Sequence, residues 1–304
     1  MHARSTLSRR RFLSTVAAAG AATAVLGAEG RAEPQEQPAS KIIGFTKPFQ
    51  TASAAETADI VAEIGWDGIE CPVRPKGQIE PERVEDDLPK TVEALRKVGR
   101  EVTLITTGIK AVNPLTEKVL RTASKLGIRR YRLAFWSYSP DRPIPDQIAE
   151  VRAASLDLAA LNKELGICGG HQNHSGSNCF GAPIWDIREA VKDCDPRYMG
   201  ICFDIGHATI EGGLAWPIHA RAMRPFYTAV FLKDFLWQKG VKGWQPEWCP
   251  LGDGAVHPEF FRTLKKSGYT GPISQHHEYE VGAGAAMIRA MKKDLAVLRR
   301  WLAA

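Results

Sequence analysis

The sequence of 304 residues lacks several features that would assign a protein to a specialised class. After residue 32 it contains no long apolar run, whereas a membrane-spanning helix needs about 20 apolar residues. Its six cysteines form no Cys-x-x-Cys pair and no Cys/His zinc spacing, and they are too few for a disulfide scaffold. With 44% hydrophobic and 24% charged residues, the composition predicts an ordinary soluble globular protein.

The sequence also lacks a basic stripe, although its formal net charge is +6. Residues 1–32 contain five arginines and one glutamate, a net charge of +4, which leaves +2 for the rest of the chain. Beyond residue 32, lysines and arginines are interspersed with aspartates and glutamates. Nucleic-acid binding depends on a concentrated positive surface, so this distribution predicts no nucleic-acid partner.

The first 32 residues are typical of an export signal. The segment Ser8-Arg9-Arg10-Arg11-Phe12-Leu13 resembles a twin-arginine motif, and an apolar stretch rich in Ala and Gly follows it over residues 12–28. We predict cleavage near Ala32, a linker over residues 33–40, and export to the periplasm or beyond through the Tat translocon. A membrane anchor or a fortuitously basic N-terminus is the alternative.

From residue 41 onward, short apolar runs alternate with longer amphipathic ones, a pattern typical of βα units. The pattern predicts strands at 41–46, 67–71, 101–107, 129–135, 167–172, 198–204, 227–233 and 272–278. It predicts helices at 54–65, 81–99, 114–127, 145–166, 183–193, 214–223, 257–268 and 282–302. Eight such units predict a single (β/α)8 TIM barrel over residues 41–304. An open doubly wound sheet is the alternative, but the first predicted strand lacks the glycine-rich turn of a nucleotide site.

Polar side chains collect at the carboxyl ends of the predicted strands, where the active sites of such barrels lie. Because side chains alternate along a strand, outward Ile201 and Phe203 place Asp204 inside the barrel, and the same argument applies to the other strands. It places His171 and His277 outside, as packing residues. The side chains predicted at the mouth are Glu70, Gln172, His174, Asp204, His207, Lys233 and Glu278. Such oxygen and nitrogen ligands suit a divalent ion such as Mg²⁺, Mn²⁺, Co²⁺ or Zn²⁺.

The segment 235–256 is a long βα loop that contains three tryptophans, Trp237, Trp244 and Trp248. Their flat faces would stack on the C–H surfaces of a sugar or close over the site. The alternative is that the loop packs on the rim of its own barrel.

Several motifs resemble the xylose-isomerase-like sugar phosphate isomerase/epimerase superfamily, over residues 41–301. They include Phe203-Asp204-Ile205-Gly206-His207-Ala208, which resembles F-D-x-G-H-A, and Leu251-Gly252-Asp253-Gly254, which resembles a G-x-G loop. Phe231-Leu232-Lys233-Asp234 is similar to H-x-K-D, Gln172-Asn173-His174 to E-N-H, and residues 273–278 to a closing strand that bears a Glu. The resemblance implies a divalent metal held by Glu, Asp, His and Glu from strands five to eight, with both Glu residues exchanging protons beside a carbonyl.

Two of these positions differ here, because Gln172 replaces the first Glu and Phe231 replaces the His. An amide oxygen can bind a cation but cannot accept a proton near neutral pH. We therefore expect Gln172, Asp204, His174 and Glu278 as metal ligands, and Glu278, Lys233 and His207 as catalytic residues. Substrate-binding residues are expected to be Glu70, His174 and the three tryptophans.

The predicted function is a sugar isomerase or epimerase that removes a proton next to a metal-polarised carbonyl. A dehydratase of the inosose dehydratase kind and a sugar-binding barrel without catalysis are the alternatives, and a nuclease ranks last because the endonuclease IV relatives need a His-rich cluster. No phosphate-binding loop is evident, which favours a sugar without phosphate.

Overall fold

The computed structural model describes residues 39–241 and 243–304. The predicted export signal and nearly all of the predicted linker lie outside the described residues. No helix within the described ranges is long and apolar enough to cross a membrane.

Eight parallel strands close into a barrel, which confirms the predicted fold. In chain order they are β1 (Ile42–Phe45), β2 (Gly68–Val73), β3 (Glu101–Thr107), β4 (Arg130–Arg132), β5 (Cys168–Gln172), β6 (Met199–Asp204), β7 (Tyr227–Leu232) and β10 (Ile273–Gln275). The barrel closes where β1 pairs with β10, with Ile42 opposite Ile273. Strands β2, β3 and β4 therefore lie on one side of the mouth, and β6, β7 and β10 on the other.

Helices surround the barrel and connect its strands. They are α1 (Ala54–Ile64), α2 (Val84–Lys97), α3 (Pro114–Lys125), α4 (Ile144–Leu165), α5 (Trp185–Val191), α6 (Ile205–Gly212), α7 (Trp216–Met223), α8 (Glu259–Lys266) and α9 (Ala285–Ala303). Local chemistry defines their ends: Ser53 and Glu56 form a capping box at the start of α1, and Gly65 ends that helix in the left-handed region at φ 90°.

The barrel interior below the mouth is filled by apolar side chains. Ile43, Leu104, Cys202, Ala229 and Phe231 form a separate inner cluster, and each is completely buried. The outward residues of the same strands, such as Ile201 and Phe203, join the larger core between sheet and helices. Because the interior is packed, a ligand at the mouth of the barrel must lie above this cluster, at the carboxyl ends of the strands.

Three segments differ from the prediction. The predicted loop after β7 contains an antiparallel hairpin, β8 (Asp234–Gly240) and β9 (Gly243–Cys249), and the additional helix α6 follows β6 directly. The carboxylate of Asp234 fixes the base of the hairpin by accepting backbone N–H groups of Gly252 and Val256 at 3.0 and 2.9 Å. The last barrel strand ends at Gln275, three residues before the predicted end. Its last ladder hydrogen bond runs from His276 N to Leu232 O.

Candidate active site

A cavity of about 420 Å³ lies at the carboxyl ends of the barrel strands. This volume is within the range of small-molecule sites. Its walls combine four cationic side chains, three imidazoles and one carboxylate with apolar rings. The lining residues are Phe45, Lys47, Arg74, Arg132, Phe135, Gln172, His174, Ser175, His207, Lys233, Pro246, Trp248, His276 and Glu278.

Asp204 lies beneath this cavity, at the end of β6, and is completely buried. Its Oδ2 lies 3.2 Å from the Lys233 ammonium, and its Oδ1 accepts the backbone N–H of His207 at 3.1 Å. Asn173 fixes the backbone of Asp204 with two further hydrogen bonds, each of 2.8 Å. Burial alone would raise the pKa of Asp204, but the charge of Lys233 and the N–H of His207 hold that pKa well below its ordinary value. Asp204 is therefore an ionised, immobile anion.

Gln172 links Asp204 to a second cation. Its amide Nε2 donates to Asp204 Oδ2 at 2.8 Å, and its Oε1 accepts from the Arg132 guanidinium at 2.8 Å. The reverse orientation would set N–H against N–H and oxygen against oxygen, so the two charged neighbours determine the amide orientation. Burial lowers the pKa of Arg132, whose side chain is 4% exposed.

These contacts do not fit a divalent metal at the position that the sequence predicts. The amide oxygen of Gln172 is already bound to Arg132, and its amide nitrogen, a donor, faces Asp204. An ammonium lies beside Asp204, and apolar Phe231 belongs to the packed interior. Within residues 39–241 and 243–304, no group of three His, Cys, Asp or Glu side chains could hold a metal ion. The predicted ligands Gln172, Asp204, His174 and Glu278 are thus not assembled as a ligand set.

His207 follows β6 in α6 and is one of the residues that line the cavity. Its Nδ1 accepts the backbone N–H of Ser175 at 3.2 Å, so the proton of the neutral ring lies on Nε2. That Nε2 is buried, lies 3.9 Å from Asp204 Oδ2, and has no hydrogen-bond partner among the described residues. Burial lowers the pKa of His207 far below its ordinary value, which keeps the ring neutral. His207 can therefore donate a hydrogen bond to a ligand.

His174 packs directly on His207, with ring centroids 3.8 Å apart. Its Nδ1 lies 2.8 Å from the carbonyl oxygen of Ser175 and donates to it, which leaves Nε2 as an acceptor. Phe135 covers the other side at 4.7 Å. The structure thus brings His174 to the cavity wall, in contact with His207.

On the other side of the mouth, Glu70 holds His276. Glu70 is completely buried in β2, and its Oε2 lies 2.8 Å from His276 Nε2 and 2.7 Å from Ser274 Oγ. Thr106 donates to the other oxygen. Burial would raise the pKa of Glu70, but His276, the charge of Arg132 and the hydroxyl of Thr106 lower it below its ordinary value. The ionised carboxylate can only accept, so Nε2 of His276 carries the proton and Nδ1 is left for a ligand. Glu70 itself lies below the cavity rather than in its wall.

Glu278 lies on the rim, beyond the end of β10. Its carboxylate is 3.0 Å from the ammonium of Lys47. Burial would raise the pKa of Glu278, but the charge of Lys233 and the hydrogen-bonded ammonium of Lys47 hold that pKa below its ordinary value. Glu278 therefore enters the cavity as an ion-paired rim residue.

The hairpin brings only one of the three predicted tryptophans to the cavity. The ring of Trp248 lies 4.7 Å from the Lys233 ammonium and meets His207 edge to face at 5.3 Å. Trp237 packs on Phe235, is 46% exposed and does not line the cavity, and neither does Trp244, which is 65% exposed. The position of Trp248 results from pairing with Phe235 across the hairpin, which the loop prediction did not include.

Sequence reasoning did not assign a role to His276, Arg132 or Arg74. The alternation along residues 273–278 directs His276 inward, but Glu278, two positions later, satisfies the same alternation. Arg132 ends β4, and a charged residue at the carboxyl end of a barrel strand is itself a usable signal.

Comparison with known proteins identifies the barrel. The model of the xylose isomerase-like TIM barrel family matches residues 58–301. None of the curated protein sequences gives a significant match. Among solved structures, 3-keto-D-glucoside 4-epimerase from E. coli in its apo form superimposes with a TM-score of 0.67 at 17% identity, covering 86% of this chain and 99% of that chain.

Two further structures extend this likeness. D-psicose 3-epimerase, crystallised in the presence of D-fructose, gives a TM-score of 0.64 at 16% identity and covers 87% of this chain and 100% of that chain. A xylose isomerase-like TIM barrel protein from Mycobacterium smegmatis in complex with magnesium gives a TM-score of 0.65 at 14% identity and covers 87% of this chain and 97% of that chain. At this level of identity the likeness concerns the fold.

Proposed function

Because the chain belongs to the xylose isomerase-like TIM barrel family, we propose that it is a sugar-modifying enzyme, an isomerase or epimerase that transfers a proton next to a carbonyl. The observation that carries this proposal is the arrangement of His276 and His207. One imidazole is oriented by a buried carboxylate, the other presents an unpartnered N–H, and both line a single cavity.

His276 is proposed as the general base. A histidine whose second nitrogen donates to a carboxylate is held in one orientation and one tautomer, the arrangement used by many general bases. Phe45 and Phe231 pack against the ring at 4.8 and 4.4 Å and restrict its rotation. Proton removal from a substrate carbon at Nδ1 would leave an imidazolium whose charge Glu70 stabilises.

His207 and Lys233 are proposed to stabilise the oxygen that becomes negative during this step. A neutral imidazole N–H and an ammonium group both donate, and neither needs to reorganise when charge develops on the substrate. Trp248 covers Lys233 and shields it from solvent. Reprotonation on the other face or at the neighbouring carbon would give the epimer or isomer. For transfer to the neighbouring carbon, the proton donor is the His276 imidazolium itself. For the other face, the donor is a water molecule, and the hydroxide that remains takes the proton from His276.

The family resemblance implies a divalent metal, which would polarise the carbonyl where it is bound. The residues around Asp204 do not fit such an ion, so the proposed steps use only the side chains of this chain. Polarisation is assigned to the two donors named above.

Hydrogen exchange tests the proposal directly. The protein is incubated with keto-sugars in deuterium oxide, and exchange at the carbon next to the carbonyl is followed by nuclear magnetic resonance. Exchange that disappears in His276→Asn and persists in His171→Asn, a packing histidine bound to Ser155, supports the proposal. Sugar binding without exchange for any substrate would instead identify a binding protein.

The same experiment distinguishes the dehydratase alternative. Elimination of water after proton removal produces an unsaturated ketone, which absorbs in the ultraviolet, whereas an epimer or isomer does not. Loss of substrate signal together with such absorption would assign the chain to the lyases.

Export through the twin-arginine pathway remains part of the proposal. It rests on the sequence of residues 8–13, and the expected outcome is that replacing Arg9 and Arg10 with Lys leaves the precursor in the cytoplasm. Cell fractionation measures this outcome, and unchanged export of the variant would refute it.

A further inference from the structure

Two arginines line the cavity without a carboxylate partner. Arg74 follows β2 and Arg132 ends β4, so both lie on the β2–β4 side of the mouth. The other two cations of the cavity are paired, Lys47 with Glu278 and Lys233 with Asp204. In the part of the chain that the structure describes, neither arginine forms a salt bridge, and the Nε of each is buried without a hydrogen-bond partner.

The charge of the nearby carboxylate of Glu70 favours the ionised form of Arg132, but Glu70 forms no hydrogen bond with either guanidinium group within the described residues. Its two oxygens are bound to the hydroxyls of Thr106 and Ser274 and to His276. Arg132 contacts Gln172 with a single nitrogen and lies 4.5 Å from the ring centroid of Phe135. Within the described residues, most N–H groups of the two arginines therefore have no hydrogen-bond acceptor.

An unpaired guanidinium in a largely buried position is unfavourable unless an anion occupies the site for at least part of the time. Its planar arrangement of donors matches the oxygens of a carboxylate or a phosphate, which it binds through two parallel hydrogen bonds. Two such groups on one wall provide more donors than one neutral sugar hydroxyl can accept.

We propose that Arg74 and Arg132 form a subsite for an anionic group of the substrate, a carboxylate or a phosphate. The inference rests on the proposed function, because it names the substrate class of the same cavity. An acidic sugar would place its charged group on the β2–β4 side and its carbonyl between His207, Lys233 and His276. The sequence alone favours a sugar without phosphate, since no phosphate-binding loop is evident.

Direct binding tests the subsite without requiring turnover. Isothermal titration calorimetry of the full chain at low salt compares D-glucuronate, D-glucose 6-phosphate, inorganic phosphate and neutral D-glucose. We expect at least one charged probe to bind at least about tenfold more tightly than D-glucose, since charge-assisted hydrogen bonds are the stronger ones. Binding of D-glucuronate alone would indicate a carboxylate, and binding of the two phosphates alone would indicate a phosphate ester.

Substitutions then assign this binding to the two arginines. Arg74→Gln and Arg132→Gln should each weaken binding of the charged probe by about tenfold or more. Arg130→Gln, on the same strand but at the opposite end of the barrel, should leave binding unchanged. If Arg132→Gln does not fold, Arg74→Gln still decides, because its half-buried side chain makes no hydrogen bond within the described residues.

Three results would each overturn the subsite. They are equal binding of D-glucose and the charged probes, failure of all the charged probes to bind, and an Arg74→Gln variant that binds the charged probe as tightly as Arg130→Gln does. Exchange on a neutral keto-sugar combined with any of these results would leave the proposed function intact. Conversely, tight and arginine-dependent anion binding without exchange on any keto acid or keto-sugar phosphate would retain the subsite and refute the function.

Discussion

Asp204 and Glu70 are both completely buried carboxylates at the mouth of the barrel, but their partners differ in kind. Asp204 is paired with the ammonium of Lys233, whereas Glu70 is paired with the imidazole of His276. An ammonium group has donors only, whereas a neutral imidazole also has an acceptor that can take a proton. The comparison assigns a fixed electrostatic role to the Asp204 side of the mouth and proton transfer to the Glu70 side.

The largest effect is expected on the Glu70 side. His276→Asn removes the proposed base, so hydrogen exchange at the substrate carbon should fall by about 10²- to 10⁴-fold, the usual loss for a general base. Substrate affinity should change much less, because the anion-binding and donor groups remain. Single-turnover exchange and calorimetric affinity measure the two quantities separately. A folded His276→Asn variant that exchanges at the wild-type rate would remove this residue from the mechanism.

On the Asp204 side, the effect should appear in stability. Asp204→Leu leaves the buried ammonium of Lys233 without its partner, which should lower the free energy of unfolding by about 3–5 kcal/mol. Urea denaturation measures this loss. The double variant Asp204→Leu/Lys233→Met removes both charges and should recover much of it, because two apolar side chains replace the pair. Equal destabilisation of the single and double variants would show that the unpaired charge is not the cause.

A third buried carboxylate, Asp186 in α5, extends the comparison, because its partners are not cations. It accepts from Tyr138 Oη at 2.7 Å and from the backbone of Gly181 at 2.8 Å. Burial without a cation raises the pKa of Asp186 to about 6. The carboxyl of an unfolded chain titrates near 3.9, so between pH 4 and 6 the folded chain binds more protons at Asp186 than the unfolded chain does. Protonation of Asp186 therefore increases the free energy of unfolding, and this increase is lost as the pH rises.

We predict that the wild type and Asp186→Asn differ in how their free energy of unfolding depends on pH. A shift of about two pKa units corresponds to about 3 kcal/mol. Asp186→Asn does not titrate, so on raising the pH from 4 to 7 the wild type should lose up to that amount of unfolding free energy relative to the variant. Urea denaturation at both pH values provides the comparison. Parallel pH profiles for the two proteins would contradict the raised pKa.

The fold and the direction of many side chains could be predicted from the sequence, because both follow from local periodicity. Strand β3 has the predicted bounds, Asp204 points inward, and His171 points outward to Ser155 on α4. The partners of these side chains could not be predicted in the same way. His276 and Glu278 satisfy the same alternation. The strand pairing ends with the hydrogen bond from His276 N to Leu232 O, so His276 lies above the inner core whereas Glu278 lies on the rim.

The hairpin is a longer segment that local periodicity also could not predict. Residues 235–256 were predicted as a loop, but they contain two paired strands whose residues are mostly exposed. Only antiparallel pairing between Phe235 and Trp248 brings one indole over Lys233 and directs Trp244 away. That pairing is a tertiary feature that local periodicity does not encode.

The smallest expected effect concerns metal removal. Because Lys233 and Gln172 Nε2 contact Asp204 Oδ2, and the backbone N–H of His207 donates to Oδ1, neither oxygen of this carboxylate is without a partner. Dialysis against a chelator should therefore leave exchange activity and the unfolding midpoint unchanged, and elemental analysis should find much less than one divalent ion per chain. Loss of activity that Mn²⁺ or Mg²⁺ restores would contradict this expectation.

The variant Gln172→Glu/Lys233→Met provides a sharper test of metal binding, because it frees Asp204 and adds a second carboxylate beside Asp204. Calorimetry should then detect Mn²⁺ binding to the variant and none to the wild type.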